Sequence, residues 1–172
     1  MRISNEVFEH YNDMYLIYFK VYINEVYLWE AVEKNDVSAI QQNANALSDA
    51  AKEGLELLKS QTTYNNDSSV INATKKAFEF FIDESENQIP IITDFLILNE
   101  DFETIKSTLE QTPERKRTKE QVDNYNKKVK EINKAVKNYN KVNTNLNTER
   151  QNIINGLNNT NANFLSKHIP ND

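Results

Sequence analysis

His10 and His168 are the only histidines in the chain, and with them lies its whole capacity for imidazole acid–base chemistry or imidazole metal ligation. They sit near opposite ends of the sequence, so only a fold that returns the chain to its starting level would bring them together. Glu6, Glu9 and Asp13 lie close to His10 and could complete a metal site there; Met14 with His168 superficially resembles the haem ligation of a four-helix cytochrome, but nothing else in the sequence supports it. Against a metal site, the paired Glu-x-x-His motifs of di-iron bundles are absent. A second set of residues, Tyr11, Tyr15, Tyr18, Tyr22 and Trp29, could line a groove for a sugar or a flat ring. At helical spacing such a stripe is more often core, with its hydroxyls reaching the edge. The third set is the basic run Arg115, Lys116, Arg117 and Lys119, which could meet an anionic partner. No nucleophile with a base, no glycine-rich phosphate loop and no zinc signature occurs in the sequence. The expectation is a non-catalytic protein without a cofactor.

Composition narrows the fold that must position these groups. Among 172 residues there are two glycines and three prolines, too few turn-formers for a sandwich or barrel. The length suits one domain spanning residues 1–172, able to bury roughly two-thirds of its unfolded surface. A formal net charge of −6 disfavours nucleic acid as a partner. From Glu114 to Lys141, ten basic residues outnumber four acidic ones, so the remainder of the chain is strongly acidic. Complementarity within the fold is the plain account of that division. There is no cysteine, hence no disulfide, thiol catalysis or thiolate metal site. Met1 to Asn5 carries no export signal, and no apolar run has transmembrane length.

Periodicity supplies the architecture. Val122, Tyr125, Val129, Ile132, Val136, Tyr139, Leu146, Ile153, Leu157 and Phe164 keep heptad phase through an asparagine-rich region, which excludes a disordered tail and requires partner helices. The spacing predicts an all-α, elongated up-down-up-down four-helix bundle. Its first helix runs from about Ile3 to Lys34, with Phe8, Tyr11, Tyr15, Tyr18, Tyr22, Trp29 and Val32 as the stripe. Val7, Met14, Val21 and Leu28 widen it on one side and Phe19 and Val26 on the other. That breadth marks it as the best-buried helix. The second follows an Asn35 or Asp36 cap and turns Val37, Ile40, Ala44, Leu47, Ala51 and Leu58 inward. The third begins at Asp67 or Ser68 and should kink or break briefly near Glu86 to Pro90, with helical geometry disfavoured at Ile89. The fourth is expected to start at Thr112, Pro113 and Glu114 and to reach Ser166. Because the third and fourth helices are long, their joined ends should project beyond the first two.

Two polar features interrupt the apolar pattern. Asn143 and Arg150 take seam positions, where a buried polar residue fixes register and needs a partner; the acids of the first three helices are the candidates. Asn126, Asn133, Asn140 and Asn147 repeat every seven residues beside the seam and read as an edge row bonded to neighbours and water. Conversely, Ile91, Ile92, Phe95, Leu96, Ile97 and Leu98 are apolar nearly all round. Either the Pro90 kink buries them over the end of the bundle, or Phe95, Leu96 and Ile97 form a patch beside Arg115, Lys116 and Arg117 that supports self-association or a partner.

Tyr11-Asn12-Asp13 in an apolar first helix, the compact Asn35-Asp36 turn, the long last helix and the closing Asn163-Phe164-Leu165-Ser166-Lys167-His168 resemble a family of uncharacterised bacterial surface proteins. These are often lipoproteins built as helical bundles. The resemblance implies a cell-surface or periplasmic protein whose signal and lipid-bearing cysteine lie outside this sequence, held at the membrane only by that anchor. The resulting expectation is a coiled-coil-like, extracytoplasmic binding module of the cell envelope with an unidentified protein or small-molecule partner. Two alternatives stand beside it. One is a ligand-sensing bundle resembling chemoreceptor input domains, and the other a metal- or cofactor-binding bundle at the His10 and His168 end.

Overall fold

The computed structural model describes residues 2–169, and every element among them is a helix. They are α1 (Arg2–Glu33), α2 (Val37–Lys59), α3 (Ser69–Asp83), a π turn (Glu84–Gln88), α4 (Ile89–Gln111), a 3-10 turn (Glu114–Lys116) and α5 (Lys119–His168). α5, with 50 residues, is about 75 Å long against about 48 Å for α1.

The order of the cross-helix contacts gives the path of the chain. His10 packs on Phe164 and Glu25 pairs with Arg150, so α5 runs back along α1. The α1–α2 turn brings Asn43 onto the Tyr27 carbonyl. Tyr18 stacks on Phe78 and Trp29 reaches Glu84, which sets α3 running with α1. Further along, Phe95 stacks on Tyr139 at 4.3 Å, Phe102 on Tyr125, and Lys128 meets Asp101, all joining α4 to α5.

Local chemistry sets the element ends. Asp36 caps α2 by accepting from the Ala39 N–H at 3.0 Å, while Asn35 takes the positive φ that the tight turn requires. At the start of α3, Asp67 rather than Ser68 supplies the cap, with its Oδ1 accepting from the Ser69 N–H. α5 departs from expectation. It opens six residues after Thr112, on a capping box in which Thr118 and Gln121 satisfy each other's backbone N–H groups. Pro113 instead begins the single 3-10 turn, so Arg115, Lys116 and Arg117 lie in the connection and not on the helix.

The kink near Pro90 takes the form of a π turn, and Ile89 keeps helical angles (φ −59°, ψ −38°), contrary to the expectation from sequence. In a regular α-helix the proline ring would collide with the carbonyl four residues back. Widening the turn by one residue accommodates the ring: the Ile89 N–H bonds to Glu84 O, five residues back.

The core follows a different phase of α1 from the one the aromatic pattern suggested. Val7, Met14, Val21 and Leu28, spaced by seven, are buried, whereas Phe8, Tyr15, Phe19 and Val26 lie on the surface. α1 is therefore not the best-buried helix. On α5, Ile132, Leu146, Leu157 and Phe164 are buried as the seam requires, but Val142 and not Asn143 takes the inward place between Tyr139 and Leu146, and Val122 is exposed.

α2 and α3 approach closely through Gly54, where an added Cβ would lie 2.6 Å from Phe78 Cε2 and 3.0 Å from its Cδ2. Phe78 is wholly buried and has no room to retreat. Gly54→Ala should lower stability by about 1 to 3 kcal/mol through overpacking. Gly156 has nothing within 4 Å of its would-be Cβ, so Gly156→Ala should raise stability by up to about 1 kcal/mol through helix propensity. Chemical denaturation of the two variants checks the opposite signs.

Candidate functional site

Midway along the helices, three charged side chains meet inside the fold. Glu25 from α1 and Glu84 from the π turn are both buried, and a single guanidinium, Arg150 of α5, serves them both. Its Nε lies 2.5 Å from Glu25 Oε1, an ion pair too misaligned to count as a hydrogen bond, while its NH2 donates to Glu84 Oε1. Trp29 closes the cluster in two ways. Its indole N–H donates to Glu84 Oε1 at 3.0 Å, and its ring lies 4.0 Å beneath the guanidinium carbon, a cation–π contact. Asn147 accepts from Arg150 NH1. Arg150 thus finds the acidic partners its seam position demanded.

Two carboxylates and one cation cannot all be neutralised. Burial raises the Glu84 carboxyl to about 7, opposed by Arg150 and reinforced by the negative charge of Glu25. Burial likewise raises Glu25, opposed by Arg150. The pair therefore holds a proton well above the usual carboxylate range. Glu84 Oε2 and the Ser85 hydroxyl are buried with no hydrogen-bond partner among the described residues. Glu86, on the outer side of the same turn, accepts from Ser48 at 2.7 Å and from Lys52 at 2.5 Å, which ties α2 to the π turn.

The two histidines do come together at one end. His168 Nε2 lies 3.0 Å from Asp67 Oδ2, with Lys167 on the same oxygen. The His10 ring packs against Tyr64 and Phe164, and Tyr64 and Phe164 also pack on His168. Burial lowers the His10 pKa, and the nearby Asp13 opposes the shift. Lys167, Ser69 and His168 hold Asp67 well below the carboxylate range. No group of three or more potential metal ligands occurs among the described residues. The geometry is an ion pair set among aromatic rings, and it anchors the end of α5 to the α2–α3 connection.

The Tyr11, Tyr15, Tyr18, Tyr22 and Trp29 set is divided by the fold. Tyr18 stacks on Tyr22 and Phe78 and Trp29 belongs to the charge cluster, whereas Tyr15 is 45% exposed. The cleft lined by Tyr11, Met14, Tyr15, Tyr18, Leu157 and Asn161 measures about 10 Å³, room for one water at most.

The two halves of the patch expected on α4 are also separated. Phe95 is stacked on Tyr139 and Ile97 is 49% exposed, but α4 runs on to Gln111 before the basic residues begin. That is roughly 20 Å along the helix. Arg117 Nε donates to the Thr112 carbonyl. Ile89 and Ile92 are buried, while Ile91, Phe95, Leu96 and Leu98 are half-buried.

The most extensive feature escaped sequence reasoning. Phe8, Tyr15, Leu16, Phe19, Ile23, Val26 and Tyr27 are 36 to 57% exposed and fall within about 120° of arc on α1 at 100° per residue. Every residue of that arc between Asp13 and Trp29 is apolar, where a solvent-facing helix would place charges. The signal was present: residues on both sides of the inward repeat were apolar, too wide a stripe for one buried face.

No family model, no curated protein and no solved structure matches this chain.

Removing Arg150 should leave two buried carboxylates without a counter-ion, so Arg150→Met should cost about 3 to 5 kcal/mol at pH 8 and less at pH 5. For Glu84 the folded chain holds the proton up to about pH 7, against an ordinary value of 4.5. Its contribution to stability is therefore complete below about 4.5 and lost as pH rises through 7. His10, lowered from 6.5, acts oppositely, since acidification through its range costs stability. The difference in melting temperature between wild type and Glu84→Gln isolates the first effect: wild type should lose ground to the variant between pH 4.5 and 7.5, as thermal melts across that range would record.

Proposed function

We propose that this chain is a non-catalytic binding module of a bacterial cell envelope, an elongated up-down-up-down four-helix bundle that engages a protein partner through the outer face of α1. The single observation that carries this reading is the uninterrupted apolar arc from Tyr15 to Tyr27. An arc of that kind on a soluble bundle marks a surface that is covered when the protein is at work. Tyr11, Tyr15 and Phe19 stack successively up the helix, a pre-ordered aromatic ladder that loses little side-chain freedom on binding.

The envelope setting rests on the resemblance carried by Tyr11-Asn12-Asp13, the Asn35-Asp36 turn and the closing Asn163 to His168 segment, with a lipid anchor outside this sequence. In this arrangement the later part of α4 and the start of α5 extend beyond α1 and α2 as a two-helix arm. It carries Arg115, Lys116, Arg117 and Lys119 at its tip, suited to an anionic surface. A ligand-sensing role draws less support, since the aromatic residues that would line the groove pack on one another instead.

Photo-crosslinking in the native cell tests the reading. A photoreactive residue at Leu16 or Phe19 should yield one defined protein adduct, and the same probe at Asp49 or Glu53, on the exposed side of α2, should not. Absence of an adduct from α1, or equal labelling from both helices, would contradict a binding role for this face.

A further inference from the structure

The same face carries information about its partner. We propose that a second copy of this chain covers it, the two α1 helices packing antiparallel about a two-fold axis that crosses the outer face at the level of Val21. This rests on the reading of α1 as a binding surface and names the occupant.

Size is the first argument. Four aromatic and three aliphatic side chains at these exposures present on the order of 600 Å², close to the roughly 800 Å² that each partner contributes to a stable interface. One helix face therefore supplies most of what a dimer needs, with the flanking polar residues of α1 supplying the rim.

Self-complementarity is the second. In an isologous pairing every contact occurs twice, so a face qualifies only if it matches its own reversed copy. With the axis at the level of Val21, Tyr15 lies opposite Tyr27, Leu16 opposite Val26 and Phe19 opposite Ile23. All six are the apolar residues of the arc, and none is left facing a charge. At the rims Asn12 meets Glu30, a donor and an acceptor, and Phe8 meets Lys34, an aromatic face and a cation. A parallel pairing would instead set Glu9 on Glu9 and Glu30 on Glu30. The antiparallel one brings Lys34 to the acidic end that holds Glu6 and Glu9. Closure about the axis buries the arc in both copies and leaves none to recruit a third, so the product is a dimer and not a filament.

Sedimentation equilibrium of the full chain should give twice its 20.1 kDa at micromolar concentration. Phe19→Lys and Ile23→Glu should each weaken dimerisation about a thousandfold, because each substitution acts twice across the axis. Circular dichroism should show both still folded, since neither side chain contributes to the core. Mixing the two variants is the test of register: the heterodimer sets the introduced lysine against the introduced glutamate once and retains one native Phe19–Ile23 pair, so the dimer mass should return. A wild-type monomer at about 100 μM, a dimer indifferent to either substitution, or a mixture that stays monomeric would each overturn the proposal. If the chain is monomeric while crosslinks from Leu16 capture a different protein, the dimer falls and the binding face stands. If neither is seen, both fall.

Discussion

A helix can bury only the part of its circumference that its neighbours reach, and α1 is apolar over more than that part. The inward quarter, Val7, Met14, Val21 and Leu28, is fully enclosed and organises the core formed with α2, α3 and α5. The opposite arc, Tyr15 to Tyr27, is left 36 to 57% exposed. The hydrophobic effect stabilises the first and is not yet realised on the second, at roughly 25 cal/mol for each Å² left in water. The proposed role for this protein follows from that imbalance, because apolar surface of this kind marks an interaction site.

The interior is held in register by charge. Arg150 meets carboxylates from α1 and from the π turn, and Trp29 grips both the cation and one acid. A misregistered α5 would bury a guanidinium without partners, at a cost of several kcal/mol. The π turn is part of the same device. By widening the helix ahead of Pro90 it places Glu84 inward and Glu86 outward, where Glu86 meets Ser48 and Lys52 of α2. One local irregularity thereby connects the π turn with α1, α2 and α5.

What sequence reasoning could reach divides along physical lines. The all-helical class, an α2 cap at Asn35 or Asp36, the need of Arg150 for acidic partners and the meeting of His10 with His168 were legible, because each depends on periodicity, local hydrogen bonding or chain path. The start of α5 was misjudged. Thr112-Pro113-Glu114 and Thr118-Lys119-Glu120-Gln121 are both good helix openings, and only the second has the reciprocal Thr–Gln pairing that continues into the apolar seam. The phase of α1 was misjudged for a different reason. Aromatic bulk drew the stripe toward Tyr15 and Phe8, whereas burial follows the Val7 repeat, and a helix apolar on two faces does not say which one its own chain covers. The division of Phe95 from Arg115 depends on the length of α4, which periodicity alone set too loosely.

The identity proposed for the partner turns on whether the outer arc of α1 is covered when two chains meet. Hydroxyl-radical footprinting of the purified protein, read at Tyr15, Phe19 and Tyr27 over a series of concentrations, measures this residue by residue, with Tyr125 on the distant start of α5 as the reference. Reactivity at the three α1 positions should fall together as concentration rises while Tyr125 remains constant. Equal reactivity at every concentration would contradict a covered arc.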